Sequence, residues 1–349
     1  MPEKMIKNIL TEAVRQNASD VHIKAGAVPV LRIDGVLHKL ILPAVSAEEI
    51  ASFVKRNGDS GIERAEMDFA YGDEGTERFR VHAYLQSGLP ALAVRLIKNT
   101  VPSLHDLNAP PLLKKLALQR SGLVLVTGAT GSGKSTTLAA MLETVNQNKS
   151  AHIITLEDPV EYRFIEAKSI ISQRCIGIDT PDFSSGLRAA LREDPDVIMV
   201  GELRDMQTIA VAVTAAETGH LVLATLHTRS VISALARMAD FFPPEKQQQI
   251  RSQLADNLQG VVAQQLVPAY SGGRTAAFEV LAAVPAVRNL IRDDKAYQLA
   301  SYLQSGRQQG MQCMDYALAE LVKGGSITRQ TAEAYAFDLD LLHKYLLLK

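Results

Sequence analysis

The stretch Gly128-Ala129-Thr130-Gly131-Ser132-Gly133-Lys134-Ser135 constrains the chain more than any other. It follows the apolar run Leu123-Val124-Leu125-Val126-Thr127 and precedes Thr136-Thr137-Leu138-Ala139-Ala140-Met141-Leu142, a strong helix pattern. Strand, glycine loop and helix in that order form the arrangement a phosphate-binding loop requires. The glycines let the backbone turn tightly and aim its N–H groups at one point. The helix N-terminus adds a partial positive charge there. Lys134 can reach β- and γ-phosphates, and the Ser135 hydroxyl can hold Mg2+. Phosphate contacts are expected from Gly128, Ala129, Thr130, Gly131, Ser132, Gly133, Lys134, Ser135 and Thr136. A chance glycine turn is the competing reading, but it does not explain the full motif between a strand and a helix.

Such a loop needs an acid beside the phosphates, to hold Mg2+ or to orient the attacking water. The run Asp196-Val197-Ile198-Met199-Val200-Gly201-Glu202 is an apolar strand that ends in one, which makes Glu202 the candidate for both roles. Glu157, Asp158 and Glu161 follow another apolar strand, at the end where α/β sheets place ligands. One of the three can serve as general base for water attack. A solvated acidic loop is the alternative, and Pro159 favours a fixed turn over it. His220 and His227 flank a further apolar strand, with His227 at the ligand end, in position to hydrogen-bond a γ-phosphate. Arg78, Arg80 and Arg95 lie on adjacent strand patterns, and Arg78 and Arg80 share a face. They form either an exposed basic face or an arginine finger donated across a domain or subunit boundary.

The chain has 349 residues, too many for one ordinary core, which predicts two domains. Lys plus Arg is 37 and Asp plus Glu is 38, a balance that gives no reason to expect nucleic acid or an anionic membrane as the main partner. Cys175 and Cys313 are the two cysteines, with neither metal-ligand spacing nor a disulfide framework. The first residues lack the apolar core of a signal peptide, and no run approaches the ~18 apolar residues of a membrane span. A cytoplasmic protein is expected.

Periodicity predicts helices over 5–16 and 46–57, and strands over 21–23, 30–33, 36–40, 69–71, 78–84 and 91–97. Asp34-Gly35 signals a hairpin turn. Residues 1–98 thus read as a small α+β domain, and 99–111, with Pro102, Pro110 and Pro111, as a linker. From 112 to 349 strands alternate with helices, as in a parallel sheet covered on both faces, and the region from about 243 onward reads as mostly helical.

Four boxes occur in order: residues 128–135, 154–161, 191–205 and 217–228. Together they resemble the Walker A, Asp, Walker B and His boxes of the secretion-superfamily ATPases. The resemblance is closest to the branch that retracts type IV pili and covers nearly the whole chain. It extends to Ala18-Ser19-Asp20-Val21-His22 and to Pro285-Ala286-Val287-Arg288-Asn289-Leu290-Ile291-Arg292-Asp293, where Val287 and Asp293 stand in place of the usual isoleucine and glutamate. It implies a PAS-like N-terminal domain on a RecA-like ATPase core, a homohexameric ring, and use of ATP with Mg2+. It implies Glu161 as catalytic glutamate, Glu202 as Walker B glutamate, and Arg80 and Arg95 as arginines that approach the nucleotide. It implies action on an inner-membrane pilus platform, with a second pilus ATPase as a further partner. The alternatives are an accessory paralogue, an assembly-type secretion ATPase and a RecA-like nucleic-acid translocase.

Overall fold

A computed structural model describes residues 3–33, 35–58, 66–72, 77–97 and 100–348. The chain forms two compact units, Met1–Thr100 and Val101–Lys349.

The first unit contains α1 (Glu3–Arg15), β1 (Asp20–Lys24), β2 (Val30–Ile33), β3 (Val36–Lys39), α2 (Ala47–Asn57), β4 (Glu66–Tyr71), β5 (Arg78–Gln86) and β6 (Leu89–Ile97). Ile6, Ile9, Leu10 and Ala13 recur at helical spacing and are all buried, so α1 offers one apolar stripe to the core. Ser46 and Glu49 cap each other's backbone at the start of α2. The strands pair antiparallel throughout, in the order β3-β2-β1-β6-β5-β4. Their alternation sends Val21, Ile23, Phe79, Val81, Leu92 and Val94 into the core with α1 and α2. Asp20, His22, Arg80, His82 and Arg95 line the opposite face. Gly35 turns with φ 85°, while Asp34 and Lys98 lie outside the described residues.

The second unit opens with α3 (Pro111–Ala117), then β7 (Gly122–Thr127), α4 (Lys134–Asn148), β8 (His152–Glu157), β9 (Ile170–Cys175) and α5 (Phe183–Ala190). It continues with β10 (Val197–Val200), α6 (Met206–Glu217), β11 (Leu221–Leu226), α7 (Val231–Asp240), α8 (Pro244–Asn257), β12 (Leu258–Pro268) and β13 (Arg274–Ala282). The sheet order is β13-β12-β7-β11-β10-β8-β9, parallel except for the β12–β13 pair. Every residue of β7, β10 and β11 is buried, because helices cover both faces. Along β7, Leu123 and Leu125 face one apolar cluster while Val124 and Val126 face the other. The chain ends in α9 (Pro285–Arg292), α10 (Leu299–Ser305), α11 (Met314–Lys323), α12 (Arg329–Tyr335) and α13 (Leu339–Leu347). No helix among the described residues is long and apolar enough to cross a membrane.

Two expectations need correction. The region from 243 onward, expected to be mostly helical, does carry α8 to α13, but β12 and β13 form a long hairpin inside the sheet that the helical reading missed. Both are apolar along much of their length and buried on both faces, and such runs carry no period-two signal to separate strand from helix. Residues 101–111 belong to the second unit and are not a bare linker. Leu104 packs there with Leu112, Leu113 and Leu116, and Ser103 and Asp106 close a turn through mutual side-chain bonds.

Phe53 is fully buried and meets the Tyr71 ring edge-on at 4.8 Å and the Phe69 ring at 6.1 Å. Phe53→Ala therefore lowers the stability of the first unit by about 3–5 kcal/mol. Denaturant titration checks this, and a loss below about 1 kcal/mol would contradict the core drawn here.

Candidate nucleotide site

β7 ends at Thr127 and α4 begins at Lys134, so the glycine loop bridges a buried strand end and a helix N-terminus. Gly133 occupies the cap position of α4 with φ 88°, and no side chain caps the helix. The first N–H groups of α4 therefore point into the loop without an intrahelical partner. Gly128 has φ 155°, and a Cβ there would lie 2.4 Å from Ser132 Oγ and 2.5 Å from the Gln264 carbonyl oxygen. No residue with a side chain fits that position. Among the described residues, Ser132 Oγ is buried without a hydrogen-bond partner. An uncapped helix end, a tight glycine cradle and an orphaned hydroxyl together fit a phosphate group.

Lys134 is 7% exposed. Its Nζ donates to Gly128 O at 2.8 Å and to Ala129 O at 3.1 Å, and lies 3.4 Å from His227 Nδ1. Burial lowers its pKa from the ordinary lysine value, and Glu202 and Glu161 oppose that shift. His227 Nε2 stands 3.1 Å from Glu202 Oε1. Arg204 Nε donates to Glu202 Oε2 at 2.6 Å, and its Nη1 lies 3.5 Å from Asp158 Oδ2. A row of charged and polar side chains thus runs from Lys134 through His227, Glu202 and Arg204 to the rim of a cleft of about 300 Å3.

Thr130, Gly131, Lys134, Ser135, Glu161, Glu202 and His227 all line this cleft. Gly128, Ala129, Ser132 and Gly133 form the loop behind it, and Thr136 Oγ1 lies 2.8 Å from Tyr162 OH, joining α4 to the acidic loop. Glu157 is fully engaged in bracing that loop. Its Oε1 accepts from Thr155 Oγ1 at 2.6 Å and from Gln173 Nε2 at 3.1 Å, and its Oε2 accepts from Glu161 N at 3.3 Å. Burial raises its pKa despite these donors. His220, at the other end of β11, sits 2.9 Å from Ala215 O.

Arg80 and Arg95 belong to the first unit. They stand directly opposite each other on β5 and β6, and each has a carboxylate beside it, Asp68 at 3.5 Å and Asp20 at 2.9 Å. Three supports escaped the sequence reading. Arg204 lies two residues beyond Glu202 in an extended segment, and that spacing could have flagged it. Tyr162 carries no such signal. Gln264, 2% exposed on β12, accepts from Thr137 Oγ1 at 2.6 Å and backs the glycine loop.

Among the described residues no group of three or more His, Cys, Asp or Glu side chains is arranged to hold a metal. Ser135 and Glu202 do line one cleft, which fits an ion that takes its remaining ligands from phosphate oxygens and water.

Residues 1–332 match the family described as Type II/IV secretion system protein. The chain belongs to that family. Within it, the chain is 43% identical over 337 residues to the type IV pilus retraction ATPase PilT of Pseudomonas aeruginosa, covering 95% of this chain and 98% of that relative. It is 40% identical over 336 residues to the type IV pilus ATPase PilU of the same organism, covering 95% and 88%. A crystal structure of the pilus retraction motor PilT with bound ADP matches with a TM-score of 0.85 at 42% identity, covering 96% of this chain and 98% of that one. This secretion-family chain therefore shares an α/β fold with that motor.

Gly128→Ala forces a Cβ into the Ser132 and Gln264 contacts. It lowers ADP affinity at least about tenfold, the factor that 1.4 kcal/mol represents. Calorimetric titration checks this, alongside a melting curve that stays cooperative. Unchanged affinity would refute the cradle.

Proposed function

We propose that this chain is an ATP-hydrolysing motor that drives type IV pilus retraction, disassembling the fibre into pilin and supporting twitching motility. The observation that carries the reading is the row Lys134–His227–Glu202 behind the phosphate loop, on a chain 43% identical to PilT along nearly all of its length. The first unit is PAS-like and the second RecA-like. The working form is a homohexamer on the cytoplasmic face of the inner membrane, held there by the pilus platform and not by a span of its own. A second pilus ATPase works beside it, and nucleic acid is not a partner.

Each step rests on a group already placed. Lys134 surrenders its bonds to the Gly128 and Ala129 carbonyls and takes phosphate oxygens instead. The α4 N–H groups and the Ser132 hydroxyl donate to the same anion. Ser135 and Glu202 would hold Mg2+, which when bound supplies charge neutralisation on the phosphates. Glu161 acts as general base for the attacking water, with Glu157 fixing its backbone. His227 hydrogen-bonds the γ-phosphate and reports it to β11. Arg80 and Arg95 of a neighbouring subunit act as fingers once Asp68 and Asp20 release them. Arg288, carried by α9, donates to the Ala255 and Asp256 carbonyls at 2.6 and 2.7 Å, so the retraction-type segment is locked onto the end of α8.

Cells that lack the protein, and cells that carry Lys134→Ala, both show excess surface pili by electron microscopy. Bare cells in either case would make it an assembly motor. An unchanged count would favour the accessory reading, which the 40% identity to PilU supports.

Glu161→Gln and Glu202→Gln each lower kcat about a hundredfold or more while ADP affinity holds. Steady-state turnover and ADP titration separate the two quantities. Loss of affinity in Glu202→Gln would recast that residue as chiefly a metal holder.

A further inference from the structure

Glu279 lies in the middle of β13 and is 4% exposed, flanked by buried Phe278 and Val280. A carboxylate in such a place must find strong donors. It finds two helix N-termini. Val231 N, at the first position of α7, donates to Oε1 at 2.7 Å. Met314 N, at the first position of α11, donates as well, and α11 has no side-chain cap of its own. Negative charge at a helix N-terminus is favourable, and here one carboxylate serves two.

The connection extends in both directions. Asp315, the next residue of α11, is 3% exposed and accepts from Phe337 N at 2.7 Å and Asp338 N at 3.2 Å, where the chain enters α13. Gln312 and Val280 exchange backbone hydrogen bonds at 2.9 and 3.0 Å, fixing α11 to β13. On the other side, α7 follows His227 after a short turn. In that turn Thr228 N donates to Thr127 Oγ1 at 2.9 Å, at the base of the glycine loop.

We propose that Glu279 is a positioning residue for nucleotide turnover: it binds the N-termini of α7 and α11 together and, with Asp315, couples the His227 turn to the C-terminal helix α13. The inference rests on the hydrolysis reading above. It concerns residues that lie outside the cleft.

The charge state gives the coupling a distinctive signature. Burial pushes Glu279 up to about 7 against its two backbone donors, and Asp315 adds to the rise. The other facing group is Cys313, whose Sγ donates to Tyr345 OH at 3.7 Å on α13, and from α7 the facing group is the Val231 N–H. A carboxyl raised from 4.5 to about 7 costs the fold stability when ionised, so its contribution is present at low pH and lost as pH rises through about 7. The tie has the opposite sign. Protonation removes negative charge from two helix ends and turns one acceptor into a donor. Stability and turnover therefore move in opposite directions with pH, which a merely structural carboxylate would not produce.

The test compares full-length wild type with Glu279→Gln for kcat, ADP affinity and melting temperature across pH values from below to above about 7. Above that pH, Glu279→Gln lowers kcat about three- to tenfold, the factor a helix-end charge is worth, with ADP affinity and melting temperature not lowered. Below it, wild-type kcat falls towards the variant's value. Wild-type kcat in the variant, or a loss that follows falling melting temperature, overturns the proposal. If the variant does not fold, hydrogen exchange on wild type decides. Adding a non-hydrolysable triphosphate, adenosine 5′-(β,γ-imido)triphosphate, changes amide protection at Met314 and at Phe337 and Asp338, whereas no change at those amides overturns the coupling. Absent turnover in wild type would fail the hydrolysis reading instead, and the exchange measurement would still judge the tie.

Discussion

Everything in the second unit depends on an uncompensated helix end. α4 starts without a side-chain cap, at the edge of a sheet whose central strands are wholly buried, with an all but buried lysine as its first residue. Such a concentration of positive character is costly unless an anion or strong acceptors satisfy it. The carbonyls of Gly128 and Ala129 supply the acceptors at 2.8 and 3.1 Å. Those bonds are expendable, since a phosphate offers the same lysine a stronger, charged partner. The loop thus stores the difference between two acceptor sets, and that difference is available to drive binding.

The remaining polar groups of the cleft follow from this charge. Glu202 is held between His227 and Arg204, and Asp158 faces Arg204 from the other side. Each charge has an opposite neighbour, so displacing one member redistributes partners along the row. Lys134 and His227 are also in contact, which lets a change at the phosphate loop reach β11 without crossing the sheet. The two ends of the row differ, Lys134 being buried and Arg204 half-exposed, so the contacts of the lysine carry more electrostatic weight than those at the rim.

Legibility followed the locality of the cause. The phosphate loop was readable because glycine, lysine and serine act within eight adjacent positions, and the loop's glycines do carry the positive φ values. Glu202 and His227 were readable because a buried strand that ends in a polar residue delivers it to one side of a parallel sheet. The alternation of β5 does put Arg78 and Arg80 on one face, with Phe79 and Val81 turned into the core. Gln264 was invisible because its partner, Thr137, is far away in sequence and nothing local marks a lone polar residue in an apolar run. The same apolar run hid β12 and β13. Residues 101–111 misled because three prolines resemble a linker, while Leu104, the residue that anchors the segment, is a single apolar position.

The least legible region is the one that braces the site. β12 pairs with β7 and places Gln264 under the glycine loop, with its carbonyl where a Gly128 side chain would otherwise be. β13 pairs with β12 and carries Glu279 to the helix that follows His227. One hairpin therefore supports both the glycine loop that carries Lys134 and the helix that follows His227. A phosphate loop needs a rigid backing to hold its N–H groups convergent, and a polar side chain at a strand end is held in place only if that end is defined. A helical reading of this segment would leave β7 at the edge of the sheet, its outer N–H and C=O groups without a ladder partner beside the loop they must hold still. The glycine motif can therefore act only when a distant, motif-free hairpin completes the sheet beneath it.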